Sequence, residues 1–172
     1  IRRPPRSTRK ESSAASDVYK RQLVTPLQLA NATAKLANPS LSNKPHLLLS
    51  IDGIKQDKKE VKEKKQSYSG ENLKWVKTGM VNVTKEGGTA AFLGRKSNYQ
   101  MASKTGTAQL FGLKIDEEYN EDILPDKLKD HALFITYAPA IDPEIVIAVI
   151  VENGGHGGSV AGPIAKKVLD AY

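Results

Sequence analysis

Residues 103–109 carry the side chains best suited to chemistry in this chain, reading Ser-Lys-Thr-Gly-Thr-Ala-Gln. Side chains alternate between the two faces of an extended strand, so every second residue is predicted to share a face. These residues are Ser103, Thr105, Thr107 and Gln109. Hydroxyls two residues apart can bind a carboxylate, and the Lys104 ammonium can supply the charge. Gly106 leaves room for the close approach of a backbone or a ligand.

Other chemistries have less support. The chain has three histidines, His46, His131 and His156. No two of them lie within four residues of each other, which excludes a pair of metal ligands on one helix. We therefore predict no metal site and no cofactor. His156 is the best functional candidate of the three, because its glycine-rich loop follows a predicted strand and could border a cleft. A surface loop residue is the alternative. The glycine run matches neither nucleotide-binding motif, and the absence of cysteine excludes thiol catalysis.

The positive charge is concentrated at the amino terminus. The 172 residues carry a formal net charge of +7, and residues 1–22 hold seven Lys/Arg against two acidic residues, leaving +2 for residues 23–172. Residues 1–22 have few large apolar side chains and two adjacent prolines, so we predict a disordered or foreign tail before a domain at 23–172. An arm that binds nucleic acid or anionic lipid is the alternative. Because so little charge remains elsewhere, we expect no nucleic-acid partner.

Helices and strands of a mixed domain are predicted to position this segment. Thr25-Pro26-Leu27-Gln28 forms a capping box that starts a helix ending near Ala37. An apolar stripe predicts a second helix: Leu73, Val76, Met80 and Val83. A last helix should follow the glycine run, with an apolar side made of Ala161, Ile164, Ala165, Val168, Leu169 and Tyr172.

Strands are predicted at 44–51, 99–111, 131–138 and 144–152. A short connection joins the last two, which should therefore pair antiparallel. Residues 145–151 are apolar without alternation, which predicts a strand covered on both faces. The fold class is α+β, an antiparallel sheet flanked by helices.

Lys104-Thr105-Gly106 resembles the third signature of the penicillin-binding proteins and serine β-lactamases, whose set is S-x-x-K, S-x-N and K-T-G. Four longer strings resemble the carboxy-terminal half of the transpeptidase domain in the elongation-specific class B type, penicillin-binding protein 2: TPLQLANATAKLAN, KTGTAQLFGLK, KLKDHALFITYAP and IVIAVIVENGGHGG. The resemblance covers about residues 23–172 and implies part of the fold of that family.

The resemblance implies a D,D-transpeptidase that crosslinks peptidoglycan stem peptides. By matching position, Lys104 would be the catalytic residue that supplies charge beside the nucleophile. Thr105, Gly106 and Thr107 would bind the substrate, and the Thr107 backbone N–H would be an oxyanion-hole donor. Implied partners are D-Ala-D-Ala stem peptides, β-lactams and elongation-complex membrane proteins including a glycosyltransferase. The implied location is the bacterial inner membrane, with this domain in the periplasm.

Two of the three signatures have no credible match. The one S-x-x-K string, Ser7 to Lys10, lies in the Pro/Arg-rich segment rather than at the start of an apolar helix, and S-x-N is absent. We therefore expect the chain to lack the nucleophile and to be inactive alone. Without the helix that carries the nucleophile, the inner face of the sheet should expose a large apolar patch. The alternative is a non-enzymatic domain that captures a peptide carboxy terminus by strand addition.

Overall fold

A computed structural model describes residues 24–41, 45, 50–55, 68–95, 97–108, 125, 127 and 129–172. The predictions for residues 1–22, including the S-x-x-K string, and those for His46 and Gln109 lie outside these residues. The described part combines α-helices with a two-stranded hairpin and a three-stranded antiparallel sheet. The predicted α+β class is therefore confirmed.

Helix α1 spans Pro26–Ala37 and begins with the predicted capping box. The Gln28 backbone N–H donates to Thr25 Oγ1 at 3.2 Å, and the Thr25 N–H donates to Gln28 Oε1 at 2.8 Å. Proline in the first turn removes an N–H that would have no intrahelical partner. Asn38 caps the other end in an extended conformation. The local sequence therefore determines both ends of α1.

A short hairpin follows, with strands β1 (Ser50–Ile51) and β2 (Ile54–Lys55). Its turn residues, Asp52 and Gly53, have φ of 51° and 78°. Positive φ at both central positions is typical of the turn that matches the twist of paired strands. Only the end of the predicted strand at 44–51 lies within the described residues.

Helix α2 spans Gly70–Asn82, and the short helix α3 spans Ala91–Gly94. The predicted apolar stripe of α2 is only partly covered. Met80 is buried, whereas Val76 is 48% exposed. The contacts of α2 with the sheet are with the strand that carries Lys104, so α2 lies beside the candidate site.

The sheet consists of β3 (Ala102–Ala108), β4 (His131–Ala138) and β5 (Ile145–Val151), in that order and antiparallel throughout. The predicted hairpin between the last two strands is confirmed. Strand β5 is half-buried along its length and contacts helices from both sides of the sheet, as its unbroken apolar run predicted. Strand β3 therefore forms one edge of the described sheet.

Two apolar cores lie on opposite faces of the sheet. The core on the carboxy-terminal helix side includes Ala132, Phe134, Ala165 and Leu169. The other, on the α1 and α2 side, consists of Ala37, Met80, Ala102 and Tyr137. The expectation of a large exposed apolar patch on the sheet is wrong for the described residues, because α1 packs across β4 and β5. Among the described residues, large exposed apolar side chains lie on helices, as with Trp75, which is 69% exposed, and also in the β1–β2 hairpin and in loops.

The chain ends in a π-helical turn, Gly157–Ala161, that continues into helix α4 (Gly162–Ala171). Along the turn and the helix, the buried apolar side chains recur every four positions: Ala161, Ala165 and Leu169. The predicted apolar side was too wide, since Ile164, Val168 and Tyr172 are exposed. None of the helices in the described part of the chain is long and apolar enough to cross a membrane.

Candidate active site

Strand β3 carries the Lys-Thr-Gly motif at the edge of the sheet. Its register sets Ser103, Thr105 and Thr107 opposite Thr136, Phe134 and Ala132 of β4. Residues directly opposite each other in an antiparallel pair share a face. The three hydroxyl residues therefore lie on the α4 side of the sheet, and Lys104 and Gly106 lie on the other. The shared face predicted for the hydroxyls is confirmed within the described residues.

Ser103 is not available to a ligand, although its spacing placed it with the two threonines. It is fully buried, and its Oγ lies 2.8 Å from Thr136 Oγ1. The Thr136 hydroxyl in turn donates to the Ala102 carbonyl at 3.2 Å. Since a hydroxyl has one hydrogen, Ser103 must donate to Thr136 in this chain of bonds. Ser103 therefore fastens β3 to β4, and only Thr105 and Thr107 can face a ligand.

The Lys104 side chain is exposed, and its ammonium donates to the Thr105 carbonyl at 2.6 Å. Thr105 is half-buried, and Thr107 is exposed. The Lys104 side chain therefore leaves β3 on the face opposite the two threonines, and its ammonium lies at the backbone carbonyl of Thr105. The positive charge is thus held next to the β3 backbone.

The orientation of the β3 peptide groups follows from their contact with the π-helical turn. A Cβ built on Gly157 would overlap the carbonyl oxygens of Leu133 and Gly106 and lie 3.0 Å from the Gly106 nitrogen. Gly106 pairs with Leu133, so these three atoms lie between β3 and β4, and the Gly106 carbonyl points toward β4. A trans peptide directs its N–H opposite to its carbonyl. The Thr107 N–H therefore points away from β4.

The same alternation directs the Thr105 carbonyl, which accepts the Lys104 ammonium, to this outer edge. No strand pairs with that edge among the residues described. One edge of β3 therefore presents an ammonium and an outward backbone N–H, two donors suited to an anionic or carbonyl oxygen.

The described histidines have structural contacts. His131 Nδ1 accepts the Asn153 backbone N–H at 2.9 Å. His156 is exposed just before the π-helical turn, and its carbonyl accepts the Val160 N–H at 3.1 Å. No group of three or more His, Cys, Asp or Glu side chains in the described ranges could hold a metal ion. His156 is therefore an exposed loop residue next to the π-helical turn, and a functional role for it stays a prediction.

A second polar cluster ties the segment before β3 to α4. The Tyr99 hydroxyl donates to Asp170 Oδ1 at 2.7 Å, and Lys166 Nζ donates to both carboxylate oxygens of Asp170 at 2.5 and 2.8 Å. The Lys166 ammonium also lies 5.3 Å from the centre of the Tyr99 ring. Burial, reinforced by the hydrogen bond to Asp170, raises the pKa of Tyr99 to about 12. The hydrogen bond from Lys166 lowers the pKa of Asp170.

Sequence reasoning did not identify Gly157 or the link between His131 and Asn153. The Gly-Gly-His-Gly-Gly string was interpreted only as a loop that could border a cleft, and its contact with β3 and β4 depends on how the chain returns to the sheet. The sequence therefore shows that residue 157 is a glycine, but it does not show which residues this glycine contacts.

Known proteins resemble this chain in sequence and in fold. The profile of the penicillin binding protein transpeptidase domain matches residues 7–170. The peptidoglycan D,D-transpeptidases MrdA of Haemophilus influenzae and Acinetobacter baumannii are each 43% identical to this chain, over 86% of its length. The chain spans 23% and 22% of those two relatives. The profile begins within the basic segment, and the domain boundary at residue 23 stays a prediction.

Solved structures show the same relationship. PBP2 of Pseudomonas aeruginosa, in complex with WCK 5153, is 38% identical with a TM-score of 0.70 and matches 86% of this chain and 30% of its own. Helicobacter pylori PBP2 in complex with MreC is 27% identical with a TM-score of 0.60, covering 83% and 24%. Penicillin-binding protein A of M. tuberculosis, as its penicillin G acyl-enzyme, is 29% identical with a TM-score of 0.60, covering 86% and 32%.

The sequence and the fold of this chain therefore both match one known group of proteins. The chain belongs to the penicillin-binding protein transpeptidase domain family, and its relatives include the MrdA transpeptidases and PBP2 of Pseudomonas aeruginosa.

Proposed function

We propose that this chain forms the carboxy-terminal part of a serine D,D-transpeptidase that crosslinks peptidoglycan stem peptides and binds penicillin. In this proposal Lys104 is catalytic, and Thr105, Gly106 and Thr107 bind the substrate. The nucleophilic serine and the S-x-N signature belong to sequence outside this chain. No cofactor or metal takes part.

The reaction consists of two acyl transfers. The serine oxygen attacks the carbonyl carbon of the penultimate D-Ala, the bond from that carbon to the terminal D-Ala nitrogen breaks, and the serine proton passes to the departing amine. An amine of a second stem peptide then attacks the serine ester, forming the crosslinking amide and releasing the serine with its proton restored. A β-lactam follows the first step through its own strained amide.

In these steps the residues of β3 would bind the negatively charged groups of the substrate and stabilise the negative charge that develops during the reaction. The terminal D-Ala carboxylate would bind Thr105 and Thr107 hydroxyls. The Lys104 ammonium would favour negative charge at the reacting oxygens, and the Thr107 N–H would donate to the oxyanion. A single oxyanion-hole donor is worth about 3 kcal/mol of transition-state stabilisation in acyl-transfer enzymes. The observation that carries this proposal is the common direction of the Lys104 ammonium and the Thr107 N–H at the unpaired edge of β3.

Covalent labelling by a fluorescent penicillin tests the proposal. We expect the full-length protein that contains this chain to be labelled and residues 1–172 alone to stay unlabelled. Lys104→Ala should reduce the acylation rate of the full-length protein by at least about 100-fold, because the charge beside the nucleophile is lost.

Lys167→Ala is the matched control, since Lys167 is an exposed lysine on α4 away from β3. It should leave the acylation rate unchanged. Equal labelling of the Lys104→Ala and Lys167→Ala proteins would contradict the role assigned to Lys104. No labelling of the full-length protein would contradict the transpeptidase assignment itself.

The partners follow from the same proposal. The Helicobacter pylori relative forms a complex with MreC, which supports an elongation-complex partner for this protein. We further propose a membrane glycosyltransferase partner and an inner-membrane location with this domain in the periplasm. Copurification of the glycosyltransferase with the full-length protein from membranes would support that partner, and its absence under crosslinking would oppose it.

The unpaired edge of β3 also fits the alternative of a non-enzymatic domain that captures a peptide carboxy terminus by adding a strand. The two functions differ in covalent chemistry. A binding domain would hold a D-Ala-D-Ala peptide reversibly, and its full-length protein would give no penicillin adduct on a denaturing gel.

A further inference from the structure

The π-helical turn packs against the back of the peptide bond that joins Gly106 to Thr107. Gly157 is buried there, and a side chain on it would overlap the carbonyl oxygens of Gly106 and Leu133. Its backbone is not in the left-handed region. Glycine is therefore needed at 157 for space, not for conformation.

The Gly106 carbonyl and the Thr107 N–H are the two ends of one planar peptide group. Because that group is rigid, any contact that fixes the carbonyl also fixes the direction of the N–H. The turn touches the carbonyl end between β3 and β4, and the N–H end points to the unpaired edge of β3. A displacement of the carbonyl by the width of a methyl group would rotate or shift the N–H by a similar amount.

The loop that leads into the turn is itself fixed to the start of β4. The Asn153 backbone N–H donates to His131 Nδ1 at 2.9 Å, and its side-chain amide donates to the carbonyls of Lys127 and Lys129 at 3.0 Å each. The Gly155 N–H donates to the Asp130 carbonyl at 2.8 Å. His131 pairs with Ala108 at the end of β3. The turn therefore has a fixed position relative to the Lys-Thr-Gly strand.

We propose that Gly157 is a positioning residue for the oxyanion-hole peptide, held in place by the Asn153–His131 hydrogen bond. This inference rests on the proposed function, since it assigns Gly157 a role in the acyl transfer. It assigns Gly157 to the acylation step rather than to recognition of the substrate carboxylate, because Gly157 contacts the carbonyl of Gly106, whereas the Thr105 side chain lies next to Gly158.

The test compares Gly157→Ala with Gly158→Ala in the full-length protein. Both changes add one methyl group to the same turn. At Gly158 the new Cβ would lie 3.3 Å from Thr105 Cγ2 and from the Thr89 carbonyl, a contact that a small shift relieves. At Gly157 the obstructing atoms are backbone atoms of two paired strands, which cannot move aside separately.

Stopped-flow acylation by a chromogenic β-lactam separates the rate constant of acylation from the prior binding constant. We expect Gly157→Ala to lower the acylation rate constant by about 100-fold, the loss typical of one oxyanion donor. The prior binding constant should change by less than about threefold. Gly158→Ala should lower the rate constant by less than about threefold. Rates are compared at equal folded fraction, measured by near-UV circular dichroism.

Should Gly157→Ala fail to fold, a pair of variants at His131 decides the matter. Asparagine places an amide oxygen close to the position of Nδ1, whereas leucine has the same shape without an acceptor. His131→Asn should keep the acylation rate constant within about threefold of the wild type. His131→Leu should lower it by at least about tenfold without weakening the prior binding.

The outcomes separate the two proposals. Absence of any wild-type adduct overturns the proposed transpeptidase. A normal wild-type rate with equal rates for the folded Gly157→Ala and Gly158→Ala proteins overturns the positioning role alone. Equal rates for the His131→Asn and His131→Leu proteins do the same where Gly157→Ala is unfolded.

Discussion

The two sides of strand β3 differ in how many of their polar groups are already satisfied. Toward β4, Ser103 bonds Thr136, and Gly106 is enclosed by β4 and the π-helical turn. Toward the outer edge, the Lys104 ammonium donates to the Thr105 carbonyl, and the Thr107 N–H points away from β4. Polar groups that are bonded within the protein hold a strand in place, whereas donors at an unpaired edge can bind a ligand. The seven residues of β3 therefore contain both the contacts that fix the strand and the donors that could act on a substrate.

Two hydroxyls on one face of β3 differ in the same respect, since Ser103 is bonded to Thr136 and Thr107 is exposed. Ser103→Ala should lower the free energy of unfolding by about 1–3 kcal/mol, because the buried Thr136 hydroxyl loses a donor. Thr107→Val keeps the branched shape at an exposed position and should change stability by at most about 0.5 kcal/mol. Urea unfolding of the full-length protein measures both. Equal losses of stability would mean that the hydrogen bond between Ser103 and Thr136 does not hold β3 in place.

A smaller effect is expected at Tyr137, on the α1 and α2 face of the sheet. Its side chain is fully buried, and its hydroxyl finds no hydrogen-bond partner among the described residues. Burial also raises the pKa of this phenol. Tyr137→Phe removes an unpaired polar group without changing shape, so the free energy of unfolding should rise by about 1 kcal/mol.

Tyr172→Phe serves as the control, since Tyr172 is 74% exposed and should show no change. The same urea experiment checks both variants. A loss of stability in Tyr137→Phe would show instead that the hydroxyl is bonded in the full-length protein, and the back of the sheet would then be an interface within the domain.

The smallest effect concerns the cluster that ties α4 to the segment before β3. The pKa of Tyr99 is raised to about 12 from an ordinary value of 10.0 by burial and by Asp170. The contribution of protonated Tyr99 to the free energy of unfolding is therefore present in full below pH 10 and is lost as pH rises toward 12. Tyr99→Phe should reduce this alkaline loss of stability. Urea midpoints between pH 9 and 11 measure it, and identical slopes for the two proteins would contradict it.

Asp170 contributes to a loss of stability at acid pH rather than at alkaline pH. Because its pKa is lowered by Lys166, its contribution is present at neutral pH and is lost as pH falls through the lowered pKa. The cluster should therefore be most stabilising between these limits, where Lys166 and Asp170 are charged and Tyr99 is protonated.

Local sequence was enough to predict elements whose signals are local. The capping box located the start of α1 at Pro26, and the run from His131 to Ala138 gave the bounds of β4. The last helix was recognised, but its apolar side was drawn too wide, because exposure depends on how α4 meets the sheet. Val76 shows the same limit, since an apolar stripe does not reveal how much of it a partner will cover.

The sequence by itself determined the residue types of the candidate site and their alternation along β3. An extended strand repeats every two residues, so Thr105 and Thr107 had to share a face wherever the strand lay. Only the tertiary structure decided that Ser103 is bonded to Thr136 and that Gly157 packs against the Gly106 carbonyl. Those contacts join residues more than 30 positions apart, and their geometry depends on register and on the return of α4 to the sheet.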